Sequence, residues 1–245
     1  QWTGHADWIK AVAFDTVPDS EGNYPAVSAS ADGTLIMWDT AAGQALHHLE
    51  GHRGSVNDVV FVPGQHTLIS AGDDGTAILW DATSGEMVQR MKGHTAAVNT
   101  VAVDPDGLRA ATASDDGLII EWDIAPDSPT LGEPSQRFEG HGSRVGSAVY
   151  ASGGTALVSN SPDLSLRLWD AQTRSEKTVI EGSLQSIAFS PDSKWIVTGG
   201  NDGLVSIWDV NSGKLSRDLE GHSGPVLSVA FSPDGMGVVT GSVDG

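Results

Sequence analysis

Trp-Asp pairs recur at Trp38-Asp39, Trp80-Asp81, Trp122-Asp123, Trp169-Asp170 and Trp208-Asp209, separated by 42, 42, 47 and 39 residues. Gly-His pairs recur beside them, at Gly4-His5, Gly51-His52, Gly93-His94, Gly140-His141 and Gly221-His222. The next motif His follows Trp38, Trp80 and Trp208 by 14 residues and Trp122 by 19. A double lattice at near-fixed spacing means one supersecondary unit used repeatedly, each copy burying its apolar faces against the next.

Each period reads as four short strands. After Gly-His comes an apolar, β-branched run such as Val98 to Val103 or Val226 to Phe231, closed by turn chemistry at Asp104-Pro105-Asp106-Gly107 or Ser232-Pro233-Asp234-Gly235. Proline presets φ there, aspartate bonds the local backbone and glycine takes the left-handed position. Leu68-Ile69-Ser70-Ala71 begins a second run, and an Asp-Gly hairpin leads to a third, Thr76 to Trp80. Thr83-Ser84-Gly85 then introduces a more polar fourth. Third strands such as Leu35-Ile36-Met37-Trp38 are apolar on both faces, as a sheet sandwiched between two others requires. The fold class is all-β, a β-propeller of four-stranded antiparallel blades, with five complete-looking repeats and an incomplete sixth.

These residues resemble the WD40 repeat family over essentially the whole chain, which reads as one propeller domain, 1–245. In that family a hydrogen-bonded tetrad of His, Ser or Thr, Asp and Trp ties each blade. The matching positions are His5, Ser28, Asp32 and Trp38; His52, Ser70, Asp74 and Trp80; His94, Thr112, Asp116 and Trp122; and His141, Ser159, Asp163 and Trp169. Buried imidazole, hydroxyl, carboxylate and indole N–H can satisfy one another only when all four are present. The fifth repeat keeps Thr198, Asp202 and Trp208 but has Ser183 where the His belongs, after a three-residue deletion. That blade is expected to be locally weaker, with Asp202 finding another donor or a water. The sixth has His222, Thr240 and Asp244, and the sequence stops at Gly245 before its third strand. The resemblance therefore implies a piece, cut at both ends, of a propeller of six, seven or more blades. The remainder is expected from a longer chain or from another subunit.

Composition narrows the function. Thirteen Lys and Arg against 32 Asp and Glu give a net charge of −19, which argues against nucleic acid and anionic membrane surfaces as main partners. Eleven of the acids belong to the Trp-Asp pairs and strand-turn positions, so much of that charge is architectural. No apolar run approaches the ~20 residues of a membrane span. Without cysteine no disulfide or thiolate site can form, and none of the six asparagines starts an Asn-x-Ser/Thr site; an intracellular, cytoplasmic location is the default. The Ser, His and Asp trio invites a hydrolase reading, but its recurrence from blade to blade favours a structural role. The Asp104-Pro105-Asp106-Gly107 run lacks the spacing of a calcium loop, and alternation puts His47 and His48 on opposite faces. No cofactor, metal or catalytic residue is expected.

In such propellers the face bearing the Gly-His loops and Asp-Gly turns is the usual recognition surface. Residues three and five beyond each motif His flank a core-facing residue, so alternation aims them at that face, where the residue before each turn Asp joins them. The candidate partner-binding residues are Trp8, Lys10, Asn57, Asp73, Asn99, Asp115, Arg144 and Asn201. Trp8 occupies a position held elsewhere by Ser55, Ala97, Arg144 and Pro225, so the fold does not demand it. Five extra residues around Thr16 to Tyr24 and five around Ala125 to Pro134 lengthen connections on the opposite face. The reading is a non-enzymatic scaffold for protein or peptide partners. One alternative is a sensor or regulatory module of a multidomain signalling protein. Another is an enzyme using the central channel, which would need titratable groups beyond the tetrads, and none stands out.

Overall fold

The computed structural model describes residues 2–19, 21–151, 153–182 and 184–245. Every regular element in them is a strand. The first sheet holds β1 (Ile9–Phe14), β2 (Ala26–Ser30), β3 (Thr34–Asp39) and β4 (Gln44–Glu50); the second holds β5 (Val56–Phe61), β6 (Thr67–Gly72), β7 (Thr76–Asp81) and β8 (Met87–Lys92). The third is β9 (Val98–Val103), β10 (Arg109–Ser114), β11 (Ile119–Asp123) and β12 (Pro134–Phe138). The fourth is β13 (Ser147–Tyr150), β14 (Ala156–Ser161), β15 (Ser165–Asp170) and β16 (Ser175–Glu181). The fifth is β17 (Leu184–Phe189), β18 (Trp195–Gly200), β19 (Val205–Asp209) and β20 (Leu215–Leu219), and the sixth pairs β21 (Val226–Phe231) with β22 (Val238–Ser242). Strands neighbour one another in chain order and run antiparallel, as in propeller blades.

The chain divides into two compact units, Gln1–Glu139 with blades one to three and Gly140–Gly245 with blades four to six. Within the first, Val27, Leu35, Met37 and Leu49 of blade one meet Val56, Val59 and Phe61 of blade two. Blade two turns Ile69, Leu79 and Met91 toward Val98 and Val101 of blade three. Within the second unit, Val158, Leu166 and Leu168 face Ile187 and Phe189, and Val197 and Val205 face Val226 and Val229. Each buried aliphatic side chain contributes about 1.5–3 kcal/mol, so stacking between blades is the main source of stability.

Two details differ from the sequence reading. β11 is not apolar on both faces: Glu121 stands where β3 has Met37 and β7 has Leu79, wholly buried, beside Arg109 and the Ser135 hydroxyl. Arg109 also pairs with Asp104, whose carboxyl burial pushes upward against the pull of that guanidinium. In blade one the expected core-facing Ile9 is exposed, as are Val12 and Phe14, whereas their blade-two counterparts Val56, Val59 and Phe61 are buried.

The longer connections run over 15–25, between β1 and β2, and 124–133, between β11 and β12. Asp19 orders the first by accepting the Glu21 and Asn23 amides, while Asp123 orders the second through Ser128 and Thr130.

Candidate functional site

Four blades hold the same polar chain. In blade two His52 Nδ1 lies 3.0 Å from Asp74, His52 Nε2 lies 2.8 Å from Ser70 Oγ, and Trp80 Nε1 donates to that hydroxyl at 2.9 Å. His5, Ser28, Asp32 and Trp38 repeat it at 3.0, 2.8 and 2.8 Å. His94, Thr112, Asp116 and Trp122 do so at 2.9, 2.8 and 2.7 Å, and His141, Ser159, Asp163 and Trp169 at 3.0, 2.8 and 2.9 Å. The chemistry fixes the proton order. The carboxylate can only accept, so Nδ1 carries the imidazole proton; Nε2 then accepts from the hydroxyl, whose own oxygen accepts the indole N–H.

Electrostatics agree with a neutral imidazole over an ionised acid. Burial pushes His52, His94 and His141 below the ordinary value, with their aspartates opposing. Burial alone would raise Asp74, but the Arg53 amide, the Thr76 hydroxyl and His52 together hold it at about 2. Asp163 is held at about 2, its burial outweighed by the Ser165 hydroxyl, the Gly142 amide and His141. A nucleophilic serine needs a free, approachable oxygen. Here Ser28, Ser70, Thr112 and Ser159 are buried and capped by indole N–H groups.

Blade five breaks the chain. Trp208 Nε1 still donates to Thr198 Oγ1 at 2.9 Å, but Asp202 is exposed and accepts from its own turn, at the Leu204 amide. Ser183, aligned with the missing His, lies outside the described residues. Blade six keeps His222 at 3.0 Å from Asp244 and 2.8 Å from Thr240.

On the Gly-His face a β-bulge, not simple alternation, aims the residue five beyond the motif His in blades one, two, three and six, whereas β13 of blade four pairs without one. Pairing skips Lys10 between Ile9 and Ala11, Asn57 between Val56 and Asp58, and Asn99 between Val98 and Thr100. It likewise skips Gln185 and Leu227. A bulge leaves one residue outside the ladder and re-aims its side chain. The neighbouring positions are joined by backbone: the Ala31, Asp73 and Asp115 amides donate to the Trp8, Ser55 and Ala97 carbonyls at 2.8–2.9 Å.

Two pairs of the candidates touch. Asn57 Nδ2 donates to Asp73 at 2.7 Å and to the Val98 carbonyl at 3.0 Å, and Asn99 Nδ2 donates to Asp115 at 2.8 Å. These amides and acids are therefore partly committed to one another rather than wholly free for a partner. Beneath them, Asp58 accepts from the Thr100 hydroxyl at 2.8 Å and the Val101 amide at 3.0 Å, joining blades two and three, and burial raises its carboxyl. Sequence reasoning passed over Asp58; its signal was an acid at a position that is Ala11 in blade one and Ser228 in blade six.

Trp8 is 79 % exposed although its backbone is held at both ends, its amide donating to Asp7 at 2.7 Å and its carbonyl accepting from Ala31 at 2.8 Å. Lys10 is exposed beside it. In the second unit Arg144 and Asn201 are exposed. Pro162, at the position of Ala31, has no amide proton to give, so β13 starts two residues late and Gly146 N donates to the Asn160 carbonyl at 3.0 Å. No cluster of three or more potential metal ligands occurs among the described residues.

A family model described as "WD domain, G-beta repeat" matches residues 1–39, 43–81, 85–123, 132–170, 175–209 and 213–245. Periodic tryptophan protein 2 homolog of Schizosaccharomyces pombe is 33 % identical over 93 residues, 37 % of this chain and 11 % of the relative. Nuclear distribution protein nudF of Emericella nidulans is 33 % identical over 90 residues, 35 % of this chain and 20 % of its own length. Target of rapamycin complex subunit LST8 of Saccharomyces cerevisiae is 31 % identical over 75 residues, 29 % of this chain and 24 % of the relative. The matched stretch thus spans under a quarter of each of these relatives.

Proposed function

This chain belongs to the WD40 repeat family, and from that premise we propose that it is a non-enzymatic scaffold that binds protein or peptide partners through its Gly-His face. The observation that carries the reading is Trp8: a large indole held out in solvent on a fixed backbone, where other repeats place Ser55, Ala97 and Pro225. Tryptophan is a favoured interface anchor, and a pre-ordered backbone lowers the entropy lost on binding. Lys10 gives the anchor a neighbouring charge. The Asn57–Asp73 and Asn99–Asp115 pairs give the face of the first unit ordered amides and carboxylates for polar specificity. One relative's name describes it as a subunit of a complex, which fits a role in assembly.

The test is a displayed peptide library selected against the chain, followed by affinity measurements on the winners. Trp8→Ala should weaken the selected peptides at least about tenfold, since a hot-spot residue is worth ~2 kcal/mol or more. Peptides that bind Trp8→Ala and wild type alike would remove Trp8 as the anchor. Steady hydrolysis of any ester, peptide or phosphate substrate that survives mutation of the tetrad hydroxyls would point instead to the channel enzyme.

A further inference from the structure

The residue before each repeat's Gly-His or Gly-Ser pair is an acid at Glu50, Glu139, Glu181 and Glu220, and a base only at Lys92. Lys92 lines a groove of about 460 Å³ in the first unit, together with Arg53, Asp74, Thr76, Arg90 and His94. Arg53 is equally particular to this repeat: the residue after the motif His is Ala6, Thr95, Gly142 and Ser223 elsewhere. Blade four has a groove in the same place, lined by Asp163, Arg167, Val179 and Glu181. Its one basic lining residue, Arg167, pairs with Glu176, and Gly142, Val179 and Glu181 stand where blade two has Arg53, Arg90 and Lys92. The fold therefore builds this groove without needing the basic trio that blade two has supplied.

Their commitments differ. Arg90 is largely used up: it bonds Asp74 at 3.3 Å, Thr76 Oγ1 at 3.1 Å and the Gly51 carbonyl at 2.6 Å, and Arg137 makes a similar bond to Gly93 in blade three. It also offsets the one carboxylate present, Asp74. Arg53 and Lys92 are exposed, and among the described residues no hydrogen bond or ion pair holds the guanidinium of the one or the ammonium of the other. Two free cations over a neutralised floor form a local positive site on a chain whose net charge is −19. A long polyanion would meet the rest of that negative field; a single anionic side chain would not.

We infer that the groove between the Gly-His loop of blade two and that of blade three is a second binding site, taking an anionic side chain, phosphoserine or carboxylate, of a partner peptide. It goes beyond the Trp8 reading and does not depend on it. The Arg53 guanidinium offers a planar fork to two anionic oxygens, and the Lys92 ammonium closes over them as a point charge.

Fluorescence anisotropy on the full chain in about 50 mM salt, where screening is weak, tests it with three fluorescein-labelled peptides alike except for a central phosphoserine, aspartate or serine. The phosphoserine or aspartate peptide should bind saturably and the serine peptide at least about tenfold more weakly, in line with a charge-assisted hydrogen bond. Binding of the phosphoserine peptide alone identifies phosphate as the ligand; binding of both identifies any carboxylate or phosphate. Lys92→Glu and Arg53→Thr should each reduce anion binding about tenfold while leaving the thermal midpoint unchanged, because other repeats already carry those residues. Trp8→Ala should leave it unchanged, which separates this site from the proposed scaffold surface. The inference is overturned by equal binding of all three peptides, by a variant carrying both Arg53→Thr and Lys92→Glu that binds as wild type does, or by no saturation below about millimolar peptide. A labelled single-stranded oligonucleotide that binds more tightly than either anionic peptide, and is lost in the same variants, overturns the peptide assignment.

Discussion

Blades two and five start from nearly the same strand grammar and end with different interiors. In blade two a continuous chain runs from the Trp80 indole through Ser70 and His52 to Asp74, whose carboxylate also accepts the Arg53 amide, the Thr76 hydroxyl and Arg90. In blade five the chain stops after one bond, Trp208 to Thr198, and Asp202 turns outward to its own hairpin. Apolar stacking is present in both, so a blade can form without the tetrad. What the tetrad adds is a tie between the Gly-His loop, the hairpin turn and the third strand. Such a network is cooperative, and removing one buried member leaves the others unsatisfied.

The largest contrast should come from the acids. Asp74→Ala should cost about 3 kcal/mol or more, because it strands a buried imidazole N–H, an amide and a guanidinium together, whereas Asp202→Ala should stay within about 0.5 kcal/mol. Urea titration of the two variants measures this, and equal losses would break the comparison. The second contrast concerns local opening. Amides of β17 and β18 should exchange at least about tenfold faster than those of β5 and β6, a difference of roughly 1.4 kcal/mol in opening free energy, as followed by native-state hydrogen exchange. Equal protection would mean stacking alone sets blade stability.

The smallest effect is that of pH, and its sign follows from the buried imidazoles. His52, His94 and His141 are held below the unfolded value of ~6.5, so below that pH the unfolded chain binds protons that the folded blades refuse. Stability should be level above about pH 6.5 and decline between there and pH 5, with blades two and three losing exchange protection and blade five changing less. A second decline follows near pH 4 to 2, because Asp74 and Asp163, ionised in the fold down to about 2, must then be protonated for the chain to unfold into its acid form. A profile that rises on acidification would contradict the neutral-imidazole assignment.

Sequence alone determined the repeat, the strand order within each blade and the identity of the tetrad positions, because these follow from short-range spacing. The hairpin glycines and Trp-Asp pairs mark turns and strands wherever the chain goes, and a strand such as β7, apolar on both faces, announces a neighbour on each side. The same spacing exposed the shortened loop of blade five. Tertiary structure alone decided how the Gly-His face is made. That Lys10, Asn57 and Asn99 are bulged residues could not be read from alternation, since a bulge is a mismatch between two strands and belongs to neither by itself. The Asn57–Asp73 pair, the buried Glu121 and the link from Asp58 to Thr100 each join residues from different strands or blades. The basic groove is an intermediate case. Lys92 was visible as the one base among the Glu positions, but only the fold brings it to the same cavity as Arg53, 39 residues earlier in the chain. Local spacing fixes what each repeat is, and the packing of one repeat on the next fixes which side chains remain for a partner.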